Sequence, residues 1–255
     1  TIPAARMAAG RLAEAPLPLR LCYVQSATKM LSETSSLLCE ETQAGVELMG
    51  EASPQADAEV IALAVYVLQQ SGLRDFQIEL GQAQFVTGFL KEAGLTDEQC
   101  AAVSAMTEQK SLMDMEAYLT RCGLAEDAIA RLMQLPRLYG DASVLDEAEK
   151  LTQHPQCLAA IDNLRQIMAV LKEYGCDGCI SIDLGMAHQA NYYSGTIFRG
   201  LVAELGQPLM SGGRYDRLMA RFGRELPATG FALSMKLLLI ALERQGASFE
   251  APIPD

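Results

Sequence analysis

Apolar residues recur at helical spacing from the very start of the chain. Ile2, Ala5, Ala8, Ala9 and Leu12 fall on one face before Pro16-Leu17-Pro18 ends the pattern. Beyond that proline pair the pattern predicts a strand over Leu19 to Val24 and another over Val46 to Met49, closed by Gly50. The polar stretch between them reads as a hairpin loop long enough to be functional. Ser53-Pro54 is a helix start with proline in first position, and Ala58, Ile61, Ala62, Val65 and Leu68 mark an apolar face ending at Gly72. Phe76, Ile78 and Leu80 then alternate as a strand.

From Gln82 to about Tyr174 the periodicity is helical throughout, with glycine stops at Gly94, Gly123 and Gly140. Met106, Met113, Met115, Met133 and Met168 fall on its leucine-rich faces and predict a filled core rather than a binding groove. Strand patterns return over Cys179 to Leu184, Tyr192 to Leu201, Pro208 to Met210 and Thr229 to Leu233. Helices follow Arg214 and run from Ser234 to Arg244. This order predicts an α+β fold in which residues 1–81 and 177–255 form one sheet-bearing core, interrupted by a helical insertion at 82–176. Because Thr1 opens directly on a helical pattern, an N-terminal part of that core is expected to be missing.

Composition narrows the partners. Half of the 255 residues are hydrophobic, enough for a substantial core, and 20 basic against 32 acidic side chains leave a net charge of −12. Nucleic acid is therefore a disfavoured partner, because its binding rests on lysine and arginine neutralising phosphates. The seven scattered cysteines read as reduced thiols in a cytoplasmic protein. Cys176-Asp177-Gly178-Cys179 has C-x-x-C spacing, but zinc needs two further ligands, and His154 and His188 are the two histidines present. Two buried thiols flanking a turn are expected there, with no metal and no cofactor. No run reaches the roughly 20 apolar residues of a membrane span.

Candidate chemistry sits in three blocks. On a strand, Gln43, Gly45 and Glu47 share a face, so an amide and a carboxylate point together with a glycine between them, an arrangement suited to a small cationic ligand. The second block is Ile182-Asp183-Leu184-Gly185 with Asn191-Tyr192-Tyr193-Ser194-Gly195-Thr196-Ile197-Phe198. The third is Ser211-Gly212-Gly213-Arg214-Tyr215-Asp216-Arg217-Leu218 running to Thr229-Gly230-Phe231-Ala232-Leu233. Singly, Gly212-Gly213 is a flexible turn, Tyr192-Tyr193 a strand's aromatic pair and Glu47 a structural ion-pair partner.

Jointly, and together with Arg20-Leu21-Cys22-Tyr23-Val24, the blocks resemble the class II histidyl-tRNA synthetase core in order and spacing. That core carries an R-L-W-Y strand, Q-x-G-V-E, D-Y-Y-T-G-x-V-F-E, G-G-R-Y-D and G-F-A. The resemblance implies a class II aminoacyl-tRNA synthetase-like antiparallel sheet flanked by helices. It also exposes departures. Lys29 and Leu31 stand where the family has the arginine and carboxylate of F-R-x-E, Leu237 stands at a second arginine, and His188 replaces the arginine ahead of the tyrosine pair. Arginine grips phosphate oxygens in a bidentate manner. Each loss of about 1.36 kcal/mol in such contacts slows a reaction tenfold, so aminoacylation is expected to be lost and no catalytic residue is assigned.

The positions matching the amino-acid pocket are kept: Gln43, Gly45, Glu47, Tyr192, Tyr193, and Thr1 at the end of the family's R-P-E-G-T. This combination resembles the regulatory-subunit family of ATP phosphoribosyltransferase, which are histidyl-tRNA synthetase paralogues. The resemblance implies a non-catalytic protein of the first step of histidine biosynthesis. It would dimerise through its core, join the short-form catalytic subunit in a hetero-oligomer and convey feedback by free histidine. Glu47 and Gln43 would then hold the ligand's ammonium group, the tyrosines its imidazole and Lys29 its carboxylate, with His188 counted in the same ligand-binding set. Two alternatives stay open. A divergent histidine–tRNA ligase would need an anticodon-binding domain and a basic surface for tRNA; a pure scaffold would have a pocket spoiled by His188.

Overall fold

The computed structural model describes residues 1–30, 38–186 and 192–247. Strands β1 (Leu19–Met30), β2 (Leu38–Met49), β3 (Gln77–Gln82), β4 (Tyr139–Gly140), β5 (Ile180–Asp183), β6 (Thr196–Leu201), β7 (Met210–Arg214) and β8 (Ala228–Ser234) form one sheet in the order β1-β2-β8-β7-β6-β3-β5-β4. Every neighbouring pair is antiparallel except β3 and β5, which run parallel, so the expected antiparallel sheet is a mixed one. Ten helices surround it among the described residues: α1 (Ile2–Ala9), α2 (Pro54–Gln70), α3 (Ala83–Glu92), α4 (Asp97–Glu108), α5 (Leu112–Arg121), α6 (Glu126–Leu132), α7 (Val144–Lys150), α8 (Pro155–Glu173), α9 (Asp216–Ala220) and α10 (Met235–Arg244). None is long and apolar enough to cross a membrane.

Local signals explain most element ends. Ser53 caps α2 by accepting a hydrogen bond from the Ala56 amide, Pro54 opens the helix, and Gly72 leaves it with φ +94°. Ile61, Ala64, Val65 and Leu68 on its inner face are wholly buried. Each large side chain among them contributes roughly 1.5–3 kcal/mol on burial. Thr96 and Gln99 close a reciprocal capping box at the start of α4.

The sheet's register separates two faces. Val46, Phe231, Phe198, Leu80 and Ile182 form one cross-strand row, joined through Gly212. They belong to the main hydrophobic cluster with residues of α2, α3, α8 and α10. Side chains alternate along a strand, so the next row points the other way: Glu47, Gly230, Gly213, Ile197 and Gly81. On that face a second, smaller cluster packs Ala5 and Ala8 of α1 against Leu19, Met49, Tyr215, Ala228 and the α9 residues Leu218 and Met219.

Several expectations change. The hairpin arms run on where a loop was expected, with Val24 opposite Ala44 and Met30 opposite Leu38. β8 pairs with β2 only from Gln43 onward, so among the described residues the distal ladder has no third strand beside it, and its polar residues carry no apolar alternation to betray it. The segment 208–210 is strand only at Met210, and the strand continues through the two glycines read singly as a turn. The strand expected from Tyr192 begins at Thr196, because the Ser194 amide donates to the Arg214 carbonyl and turns the chain. Gly140 is not a helix stop but part of β4, paired with the end of β5. Met115 is wholly buried, but Met113 is 86% exposed and is no part of the core. Cys176 and Cys179 flank a 3₁₀ turn and are partly rather than fully buried.

A buried ion pair ties these elements together. Arg214, at the end of β7, directs Nε and Nη2 at the Asp57 carboxylate of α2 at 3.0–3.1 Å. Burial favours the neutral carboxyl at Asp57; at Arg214 burial is the largest single effect and lowers the pKa, but the charges and hydrogen bonds of Asp57 and Asp216 together outweigh it and raise the pKa. An arginine stays protonated, and with these contacts the pair is ionised. The Thr196 hydroxyl lies 3.2 Å from Asp57 and 3.1 Å from Asn163 of α8, which accepts from Gln82. Asp57→Ala leaves the buried guanidinium with only the partly exposed Asp216 as counterion and is expected to cost about 3–5 kcal/mol, read as a lowered urea midpoint.

Candidate ligand-binding site

The polar face of β2 and β8 forms the floor of a cavity of about 1010 Å³. Thr1, Tyr23, Gln43, Tyr192, Tyr193 and Tyr215 line one part of it. Pro208, Leu209, Leu237 and Ile240 give another part an apolar wall. A free amino acid of ordinary size fills only a fraction of this space, so the site has room at its mouth.

Glu47 lies against this wall, 1% exposed. The Tyr215 hydroxyl donates to its Oε2. Its Oε1 lies 3.3 Å from the Thr1 α-amino nitrogen yet receives no aligned hydrogen bond. Burial pushes the Glu47 carboxyl above the usual carboxylate range, against the Tyr215 hydrogen bond and the Thr1 amino group, which pull it down. The carboxylate fits because its β8 neighbour has no side chain: a Cβ on Gly230 would collide with Glu47 Oε2. One strand further on, a Cβ on Gly213 would lie 2.9 Å from the Tyr193 ring.

The aromatic residues form a layered wall. Tyr192 and Tyr193 have ring centroids 4.6 Å apart, and Tyr192 meets Tyr215 edge-on at 6.2 Å. Burial and the nearby Glu47 charge push the Tyr23 phenol up to about 12. Burial also raises Tyr193 and Tyr215, the latter assisted by Glu47. All three therefore remain protonated donors at neutral pH.

The expected set is largely brought together. Gln43, Gly45 and Glu47 share one face of β2 as the alternation predicts, but of the three only Gln43 lines the cavity, together with Thr1, Tyr192 and Tyr193. Gly45 is not bare, however: the Tyr23 ring lies over it where a Cβ would stand. Gln43 points its amide nitrogen towards Glu41 at 3.5 Å. The Lys29 side chain and all of His188 lie outside the described residues. Tyr23, Tyr215 and Gly230 were not singled out as site residues. The signal for Tyr23 is its register opposite Gly45, and Tyr215 and Gly230 lie inside blocks already noted for their pattern. Leu237 lines the cavity. Among the described residues no three or more His, Cys, Asp or Glu side chains converge as a metal site.

A sequence model described as histidyl-tRNA synthetase matches residues 1–238. An ATP phosphoribosyltransferase regulatory subunit from Acetivibrio thermocellus is 40% identical over 100% of this chain and 61% of its own length. One from Ruminiclostridium cellulolyticum is 36% identical over the same shares. Among solved structures, an ATP phosphoribosyltransferase regulatory subunit/histidyl-tRNA synthetase from Bacillus halodurans superposes with a TM-score of 0.88 at 32% identity, over 94% of this chain and 62% of that one. The chain thus spans about three fifths of the length of these relatives.

The raised pKa of Glu47 has a signed consequence. The folded state favours the protonated carboxyl, so the stability it contributes is present below the ordinary carboxylate pKa and is lost as pH rises through the raised value. Glu47→Gln keeps an acceptor for Tyr215 and removes the charge. It is expected to melt above wild type near pH 8 and to lose that advantage towards about pH 4, as followed by circular dichroism.

Proposed function

The chain belongs to the histidyl-tRNA synthetase family, and we propose that within it the protein is a non-catalytic regulatory subunit of ATP phosphoribosyltransferase that binds free histidine. The observation that carries this reading is the buried Glu47 carboxylate, one oxygen held by Tyr215 and the other without an aligned donor, beside a tyrosine-lined cavity. A cationic or N–H-bearing ligand that takes the place of the Thr1 amino group, 3.3 Å from Oε1, supplies an aligned donor. Glu47 and Gln43 take the ammonium group of histidine, and Tyr192 and Tyr193 line its imidazole. Lys29 meets the carboxylate, with His188 near it.

The same cavity argues against adenylation. Activation of an amino acid by ATP needs cations gripping the phosphates, and among the described residues Lys236 lines the cavity but no arginine with its bidentate fork does. Leu237 offers methyl groups where the family has a guanidinium. A protein that holds the amino acid but not the triphosphate senses rather than reacts. The high identity to relatives named as regulatory subunits supports the same role.

In this role the protein acts in the cytoplasm, forms a homodimer through its synthetase-like core, and assembles with the short-form catalytic subunit in the first step of histidine biosynthesis. Histidine can shift such an assembly only through its differential affinity for two states, with coupling of about 1–3 kcal/mol.

Calorimetry is expected to detect histidine binding by wild type, weakened at least about tenfold in Glu47→Ala, since a hydrogen bond to a charged group is worth roughly 1.5–3 kcal/mol. Equal binding by both removes the pocket assignment. Mixing with a short-form phosphoribosyltransferase is expected to yield a co-purifying, histidine-sensitive activity. Histidine-dependent pyrophosphate exchange with ATP would instead establish the ligase reading.

A further inference from the structure

The tyrosine wall of the cavity is carried by two segments, 192–194 and 214–216, and the Tyr215 hydroxyl ties the second to Glu47 of the floor strand. Both are held from behind. The Ser194 amide donates to the Arg214 carbonyl, and the Asp216 amide donates back to the Ser194 hydroxyl at 2.9 Å. Asp216 Oδ1 accepts from Arg214 Nη1 at 3.1 Å and from the Ala228 amide at 2.9 Å. Arg214 spends its remaining donors on Asp57, the Glu51 carbonyl and the Ser53 carbonyl. The guanidinium therefore staples both tyrosine-bearing segments to the start of α2. Tyr215 is the single residue between its two anchors, and its own amide donates to the Ala228 carbonyl at 2.7 Å.

None of Arg214, Asp216 or Ser194 lines the cavity. We infer that Asp216 and Ser194 are positioning residues for the amino-acid site: through Arg214 they set where the Tyr193 and Tyr215 side chains stand, and so set ligand affinity without touching the ligand. A site of this kind depends on its supporting shell, since a displacement of about 1 Å is enough to lose most of a contact's value. Asp216 suits the role because its own side chain is 38% exposed and exchanging it leaves the buried Arg214 still paired with Asp57. The inference rests on the histidine-binding reading above for its ligand, but not for its geometry.

The test uses the whole chain with Asp216→Ala, Asp216→Asn and Ser194→Ala. Asparagine keeps Oδ1 as acceptor for both Arg214 and Ala228, whereas alanine and the Ser194 variant each delete an anchor. Asp216→Ala and Ser194→Ala are expected to bind histidine about tenfold more weakly in calorimetry while melting within a few degrees of wild type, and Asp216→Asn is expected to bind within about twofold. A folded Asp216→Ala that binds as wild type, or an Asp216→Asn as weak as alanine, overturns the inference. If wild type takes up no histidine, the proposed ligand falls, and amide hydrogen exchange then decides the positioning claim. Exchange at Tyr215 at least about tenfold faster in Asp216→Ala and restored in Asp216→Asn supports it; unchanged exchange overturns it.

Discussion

An arginine buried to 6% exposure, with every guanidinium donor placed, is the constraint around which the molecule is arranged. Arg214 ends β7, faces the first turn of α2 through Asp57, and reaches the loop carbonyls of Glu51 and Ser53. Desolvating such a charge costs several kcal/mol unless its partners are complete, so the geometry around it tolerates little variation. Its satisfaction dictates where α2 starts, how β7 leaves the sheet, and how α9 begins. The Thr196, Asn163 and Gln82 side chains continue the polar chain into α8 and β3. The pair thus connects the sheet to helices that follow it at very different distances in the chain.

The sheet's two faces divide the labour. One carries the row of Val46, Phe231, Phe198, Leu80 and Ile182 into the main hydrophobic cluster and supplies stability. The other carries glycines where larger groups approach, so that Glu47 can lie over Gly230 and Tyr193 against Gly213. A carboxylate in this setting is energetically unfavourable when ionised, as its raised pKa reflects. Retaining such a group in place of an apolar one is what a ligand site, rather than a core, would require.

The cavity's two walls differ in a way that matches the family history. The tyrosine side carries hydrogen-bonding groups in register with the histidyl-tRNA synthetase pattern, and the other side sets Pro208, Leu209, Leu237 and Ile240 beside Gln207 and Lys236. Leu237 stands at the surface of the cavity and not in the fully buried interior, so a change of side chain there leaves β8 and the inner face of α10 undisturbed.

Periodicity and local chemistry were sufficient for most helices, for the α2 cap, for the inner strands and for the shared face of Gln43 and Glu47, because each depends on residues within a few positions of one another. The family resemblance extended this to the pocket tyrosines. The full length of the β1–β2 ribbon was not legible, since its distal ladder rests on backbone hydrogen bonds between polar residues. Nor was Tyr23 over Gly45, nor Asp57 as the partner of Arg214: those contacts join positions 22 and 157 residues apart, and the polar side chains involved look like surface groups until the folded chain closes over them. Composition and spacing along the chain specify which groups are available; which of them meet in the buried interior is a property of the assembled fold.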